Sequence, residues 1–305
     1  MKHLHPKKCL RIVKEKLHDC FWYYLLPDSV YLKIRYKQVF GKKLNLNNPQ
    51  TFNEKIQWLK LHDRKPEYHT MVDKYEVKNW VAKIIGEEYI IKTFGVWDKY
   101  EDIDFNSLPE QFILKCTHDS ASVTICTDKS NFDVSRSAWK YDDVFMKRDY
   151  YHYENKQWAY KGVKPRIIAE EYLQDDKYES LADYKFYCFN GKAKCIYVAI
   201  NRFTNLRLDI YDLEWNKMPY DHNHKYHYRE DYLDKPKEFD LMKELAEKIA
   251  RYVDNPYVRV DFYEVKGKVY FGEITFYPEG GMGYFDPEEW DYTFGSWIDL
   301  NRGAK

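Results

Sequence analysis

What this chain lacks narrows its possibilities before any motif is considered. Its six cysteines, at 9, 20, 116, 126, 188 and 195, include no C-x-x-C pair, so neither a zinc site nor a redox dithiol is indicated. No cleavable signal peptide reads at the start, and with unpaired cysteines this predicts a reduced, cytoplasmic location. No stretch approaches the roughly 18 consecutive apolar residues of a membrane-spanning helix. Charge of either sign is not in excess: 49 basic residues balance 49 acidic ones. Bulk nucleic-acid binding needs a basic surplus to displace counterions, so it is not expected. No G-x-S-x-G elbow, Walker A loop or G-x-G-x-x-G fingerprint occurs, and no internal repeat or low-complexity tract.

What is present is a soluble-type composition, with 44% hydrophobic and 32% charged residues over 305 positions. At about 150 residues per domain, that length predicts two lobes or one large α/β body. The 30 tyrosines are scattered evenly and read as amphipathic filler rather than as a binding platform. In the first 26 residues a basic run, Lys2 to Lys16, precedes Cys20-Phe-Trp-Tyr-Tyr-Leu-Leu26. The favoured reading is a first helix packed on the body. A peripheral contact with the inner membrane face is the alternative.

Residues 1–50 read as helical, with a break at Leu26-Pro27 and Ser29 as the cap of the next helix. Thr51-Phe-Asn-Glu54 has the capping-box pattern, with Ile56, Trp58 and Leu59 facing the core. Another helix starts at Asp73 and ends at Gly86. The period then changes. Strands are predicted at 89–91, 112–116, 123–126 and 166–173. A hairpin turns on Asn190-Gly191, and residues 133–160 read as helical. Residues 214–238 form a polar loop region, in which His222, His224 and His227 read as solvated rather than metal-binding. An amphipathic helix over 238–253 presents Leu241, Leu245, Ile249 and Tyr252 on one face.

Several charged residues stand where strands disfavour them. Asp261 and Glu273 lie on facing strands of a hairpin about Lys266-Gly267 and can together hold Mg²⁺, with Thr275 adding an oxygen. A two-residue turn with a regular ladder would pair Val260 with Glu273 and put Asp261 on the other face. Convergence therefore requires a three-residue loop or one bulge, for which Gly267 is the candidate. The other reading is two unrelated solvent-facing acids. Lys115 sits inside the apolar strand Phe112-Ile-Leu-Lys-Cys116, ahead of a polar loop, 117–122, able to cradle phosphate; alone, it equally fits a lysine snorkelling from a strand end. Glu170 and Glu171 close a strand before Tyr172-Leu173, where an acid can accept from an adenine amino group or simply be solvated.

The order of these pieces carries more than any one of them. Asp73-Lys74, Phe112-Ile-Leu-Lys115, Ile168-Ala-Glu170, Arg259-Val-Asp261 and Glu273-Ile-Thr-Phe-Tyr-Pro278 resemble the ATP-grasp layout. Asn48 to Trp58, Lys115 to Ser120, Lys164 to Glu170, Asp183-Tyr-Lys-Phe186 and Phe271 to Pro278 resemble its TupA-like family, linked to teichuronopeptide and polysaccharide biosynthesis, across residues 30–300. That resemblance implies an α+β ATP-grasp fold, two α+β lobes with ATP between them, and an N-terminal helical segment. It implies these divisions: an N-terminal segment over 1–50, a pre-ATP-grasp region over 51–110, a nucleotide-binding lobe over 111–175 and a catalytic lobe over 176–305. Lys74, Lys115 and Lys185 would meet ATP phosphates, and Glu170, Glu171 and Leu173 the adenine. Asp183 would lie near the ribose; Asp261, Glu273 and Thr275 would hold Mg²⁺; Arg259, with Lys115 and Lys185, would serve the chemistry. The family places Asn where Thr275 stands and often glycines in the phosphate loop, which here reads Asp119-Ser-Ala-Ser122.

The implied activity is a carboxylate–amine ligase working through an acyl phosphate, joining an amino acid to an acidic sugar or cell-surface polysaccharide precursor. Arg202 and the 214–238 loop are its acceptor-side candidates, and Gly280-Gly281 admits close approach of the acceptor. The rival readings are a glycosyltransferase-type enzyme using the same two acids for a sugar nucleotide, and a non-catalytic ATP-grasp scaffold.

Overall fold

A computed structural model describes residues 25–120, 122–175, 177–219, 221–222 and 230–302. The proposed membrane-contacting segment, except its last two residues, lies outside these, as do His224 and His227.

Helix α1 (Asp28–Phe40) starts directly after Pro27, so Ser29 lies inside it rather than capping it; proline at the entry leaves no side-chain cap, and Gly41 closes the helix in the left-handed region at φ 70°. Helix α2 (Phe52–His62) has the full capping box between Thr51 and Glu54. A short helix, α3 (Tyr68–Val72), leads to α4 (Glu76–Ile85). Asp73 caps α4 by accepting from the backbone N–H groups of Tyr75 (2.9 Å) and Glu76 (3.0 Å).

The strands form two main antiparallel sheets. The first, in spatial order β1-β4-β2-β3, contains β1 (Thr93–Trp97), β2 (Phe112–Cys116), β3 (Thr124–Cys126) and β4 (Ile167–Glu171). The strand expected at 89–91 is instead a 3-10 turn over Glu87–Tyr89, and pairing begins at Thr93. Between β3 and β4 the predicted helix is broken into α5 (Val134–Trp139), a π-turn and α6 (Tyr150–Tyr153), with Asn155 and Lys156 at positive φ ending the run.

The second sheet, β10-β9-β5-β6-β7, contains β5 (Asp183–Phe189), β6 (Lys192–Ile200), β7 (Arg207–Tyr211), β9 (Tyr257–Val265) and β10 (Lys268–Thr275). Asn190 and Gly191 turn the β5–β6 hairpin with φ of 51° and 82°, as a two-residue loop requires. A two-residue strand, β8 (Asp221–His222), pairs with β11 (Phe285–Asp286). Helix α7 (Phe239–Val253) covers one face of the second sheet through Met242, Leu245, Ala246, Ile249 and Val253. The apolar face is thus rotated from the expected one: Tyr252 is exposed, because the sheet accepts the stripe through Phe239 and Met242. That leaves the opposite face of the sheet for the site. Helix α8 (Glu289–Trp297) ends the chain's core. No helix among the described residues is long and apolar enough to cross a membrane.

Candidate active site

The hairpin of β9 and β10 decides the site's chemistry. Lys266 and Gly267, at φ 51° and 78°, make a two-residue turn, and a regular ladder runs to Phe271 opposite Phe262. There the register slips, and Glu273 faces Asp261 and Thr275 faces Arg259. The bulge required for convergence exists, but at Gly272 and not Gly267. A Cβ there would stand 3.1 Å from the carbonyl oxygen of Asp261 and 3.2 Å from the Tyr263 ring, tight enough to favour glycine.

The side chains on this face interlock. Arg259 donates through Nε to Asp261 Oδ1 and through Nη2 to Asp261 Oδ2, both at 2.7 Å, and Nη2 also reaches Glu273 Oε1 at 2.7 Å. Thr275 Oγ1 donates to the same Glu273 oxygen at 3.3 Å. Lys185 lies directly across from Asp261 on β5 and donates to its Oδ2 at 2.6 Å. Two residues along the same face, Asp183 meets Lys185 at 3.5 Å and pairs with Arg202. Burial pushes the Asp261 carboxyl above its ordinary value against the pull of Arg259 and Lys185. Glu273 is open to the cavity, with its side chain 39% exposed. Partial burial raises its pKa, but Arg259, Lys185, Lys74 and Arg202 prevail and bring it to about 2.

The first sheet supplies the facing wall. Glu170, at the end of β4, is buried among cations: Lys115 of β2 donates to Oε2 at 2.7 Å, and Lys78 of α4 meets Oε1 at 2.5 Å. Burial raises the Glu170 pKa, and Lys115 and Lys78 outweigh it, taking it to about 2. Lys78 also donates to the Ile91 carbonyl (2.7 Å) and to Thr93 Oγ1 (2.8 Å), tying α4 to β1. Lys74 donates to the Asp119 carbonyl in the loop after β2. In that loop Ser122 accepts from the Cys116 N–H at 2.8 Å and donates to Asp119, so side chains do the ordering usually left to glycine.

Between the walls lies a cavity of about 250 Å³. Its apolar part includes Ile90, Ile113, Ile125, Leu173 and Phe271; its polar part holds Lys74, Lys115, Glu170, Glu171, Asp183, Lys185 and Glu273. Every nucleotide-side residue expected from the sequence therefore lines one space. Asp261 and Arg259 stand behind Glu273 rather than in the lining. Arg202, expected on the acceptor side, lines the same cavity. In the 214–238 region, Lys217 pairs with the buried Asp209 of β7 (3.1 Å) and Asp231 with Arg207 of β7 (2.5 Å), so the described part is stapled to β7. Lys78 was not singled out from the sequence. The available signal was a lysine beside Val77 and one turn before Val81, on the buried side of α4.

The donor set suits a hard cation in one particular way. Among the described residues no three His, Cys, Asp or Glu side chains gather as a metal cluster. Of the three expected ligands only Glu273 faces the cavity; both Asp261 oxygens accept from Arg259 and Lys185, and the Thr275 hydroxyl donates to Glu273. One exposed carboxylate still fits Mg²⁺, which takes one or two carboxylates and completes its shell from phosphate and water. The lysines about it suit the phosphates.

Two antiparallel sheets closing on a cation-lined cavity, with paired acids on one and a lysine-bound acid on the other, define an ATP-grasp architecture. A family model described as TupA-like ATPgrasp matches residues 54–299, and the chain belongs to that family. Among solved structures it is similar to D-alanine–D-alanine ligase from Bacillus anthracis complexed with ATP, at 16% identity and TM-score 0.34, over 67% of this chain and 53% of that one. It is also similar to D-alanine–D-alanine ligase from Helicobacter pylori, at 12% identity and TM-score 0.42, over 83% and 68%. The ATP-grasp ligase PsnB complexed with minimal precursor matches at 10% identity and TM-score 0.39, over 70% and 55%. The chain thus spans about half the length of the first of these, 53%. No curated protein matches it.

Proposed function

We propose that the protein is an ATP-dependent carboxylate–amine ligase that works through an acyl phosphate and joins an amino acid to an acidic sugar or a cell-surface glycan precursor. The observation that carries the ATP half is the single cavity on which Lys74, Lys115, Glu170, Lys185 and Glu273 converge from two sheets. Family membership supports the same half. The sugar and glycan half rests on family context.

In this reading the apolar end of the cavity takes the adenine. Both Glu170 oxygens already accept from lysines, but a carboxylate has about four lone-pair sites, so one on each oxygen remains, enough for an adenine amino group. Lys74, Lys115 and Lys185 bind the phosphates as point charges. Mg²⁺ would be held by Glu273, with Asp261 and Thr275 on the same face joining it as the cation displaces their present partners, and would supply charge neutralisation at the phosphates. A substrate carboxylate oxygen attacks the γ-phosphorus and ADP leaves. The amine nitrogen then attacks the acyl carbon, phosphate leaves, and the nitrogen gives up a proton as the amide forms. Arg259 would steady the negative charge on the acyl group; its guanidinium is held behind Glu273 by Asp261 and Glu273.

The test is ADP release with Mg-ATP across pairs of the standard amino acids and uronic acids. ADP release that requires both a carboxylate and an amine is the expected result. ADP release absent from every pair would sink the ligase reading.

A further inference from the structure

One buried feature lies outside the cavity and is not used by the chemistry above. Asn53, Gln57 and Lys60 occur at i, i+4 and i+7 on α2, forming a polar stripe with exposures of 1%, 0% and 0%. All three donate to backbone carbonyls of the loop that follows β10. Asn53 Nδ2 reaches the Gly283 oxygen at 2.8 Å. Gln57 Nε2 reaches those of Gly280 (3.0 Å) and Gly281 (2.7 Å). Lys60 Nζ reaches the Gly280 oxygen at 2.6 Å, the Asn155 carbonyl at 2.9 Å and Gln57 Oε1 at 2.9 Å.

A helix buried on this side would pack more cheaply with leucine or methionine, since removing an amine from water is costly. What the polar groups add is orientation. Glu279, Gly280 and Gly281 lie in succession at φ of 50°, 62° and 62°, a turn that needs outside support. With the Gly280 carbonyl held against α2, the planar trans peptide aims the Gly281 N–H to the other side. The approach is close: a Cβ on Gly281 would stand 2.5 Å from Gln57 Nε2 and 2.5 Å from the Ile56 side chain.

The loop begins just after Glu273 and Thr275. Lys60's other anchor, Asn155, belongs to the segment in which Tyr150 Oη meets Ser120 Oγ at 2.6 Å, and Ser120 lines the cavity. Lys60 therefore joins the loop after β10 to the segment bracing the loop after β2, without touching the cavity itself.

We propose that Asn53, Gln57 and Lys60 are positioning residues for the acceptor side: they fix the 280–283 loop against the 150–155 segment and so set where the amine meets the activated carboxyl. This rests on the ligase reading. The decisive variants are Gln57→Leu, which leaves Lys60 on the Gly280 carbonyl and is the milder, and Lys60→Met. The probes are Mg-ATP, glucuronate and a mixture of the twenty standard amino acids, with the full chain. The expected result is about tenfold faster deuterium exchange at residues 280–284 and about a tenfold higher apparent KM for the amino acids, with the KM for ATP within about twofold of wild type. Unchanged exchange overturns the proposal. So does a loosened loop with an unchanged amino-acid KM, or an equal rise in the KM for ATP. If the wild type takes up Mg-ATP yet releases no ADP with this mixture, it is the ligase reading that fails. Exchange then decides the stripe: faster exchange with an intact Mg-ATP melting shift supports it, and unchanged exchange or a lost shift rejects it.

Discussion

Glu273 and Glu170 are both strongly acidic carboxyls, but they answer different demands. Glu273 faces the cavity, so its charge is available to a bound group. Glu273→Gln keeps the shape and removes the charge; it is expected to abolish ADP release while leaving the melting temperature close to wild type, as read by a coupled ADP assay and a melting curve. Glu170 is enclosed by Lys78 and Lys115 and serves stability as well. Its folded value, about 2, lies below the ordinary 4.5, so its contribution of about 3 kcal/mol is complete above pH 4.5 and drains away as the pH falls toward 2. Glu170→Gln leaves two lysines facing a neutral amide. It is expected to cost about 3–5 kcal/mol at pH 7 and to flatten this acid limb, measured by urea unfolding at a series of pH values.

At the scale of elements, local signals carried well where one residue dictates the backbone. The capping box at Thr51, the Asn190-Gly191 turn and the ends of α4 at Asp73 and Gly86 are such places. Thr51→Ala removes the side-chain acceptor for the Glu54 N–H and is expected to lower stability by about 1 kcal/mol in urea unfolding. Reading failed where tertiary packing chose among local options. The segment 133–160 has helical composition, but its aromatics are drawn to two places: Tyr141 and Phe145 pack on each other in the core of the first sheet, while Tyr150 packs on Tyr160, and the helix breaks between them. The face of α7 was misassigned because Leu241 and Tyr252 fit the period as well as Phe239 and Met242 do; only the sheet distinguishes them. In the β9–β10 hairpin the need for one irregularity followed from counting residues, but its place did not. Gly267 was already committed to the turn, and the close carbonyl of Asp261 fixes the bulge at Gly272.

For the molecule as a whole, the nucleotide reading predicts a linkage effect. In that reading Mg-ATP would bind between the two sheets and stabilise only the folded chain, so millimolar Mg-ATP is expected to raise the melting temperature by several degrees while a UDP-sugar leaves it unchanged, as read by differential scanning fluorimetry. A shift with the UDP-sugar and none with ATP would favour the transferase alternative. Lys115, Glu170 and Glu171 were legible because each is a charge set in an apolar strand or at its end; Lys74, Leu173, Asp183 and Lys185 followed only from the family resemblance. The stripe on α2 was not legible, because Asn53, Gln57 and Lys60 look like the solvent side of an amphipathic helix until the 280–283 loop covers them.

The distance along the chain between α2 and its partners also affects biosynthesis. Phe52 packs its ring at 4.9 to 6.3 Å against Phe189, Tyr257, Phe285 and Phe294, and Lys55 donates to the carbonyls of Gly295 and Ile298. The ribosome delivers α2 before most of its neighbours, so a nascent chain halted before residue 280 carries this helix with the side-chain amides of Asn53 and Gln57 unpartnered and the Lys60 amine short of one acceptor. Packing of α2 must therefore wait for the loop after β10, and chains truncated before residue 280 should be recognised by proteases through α2.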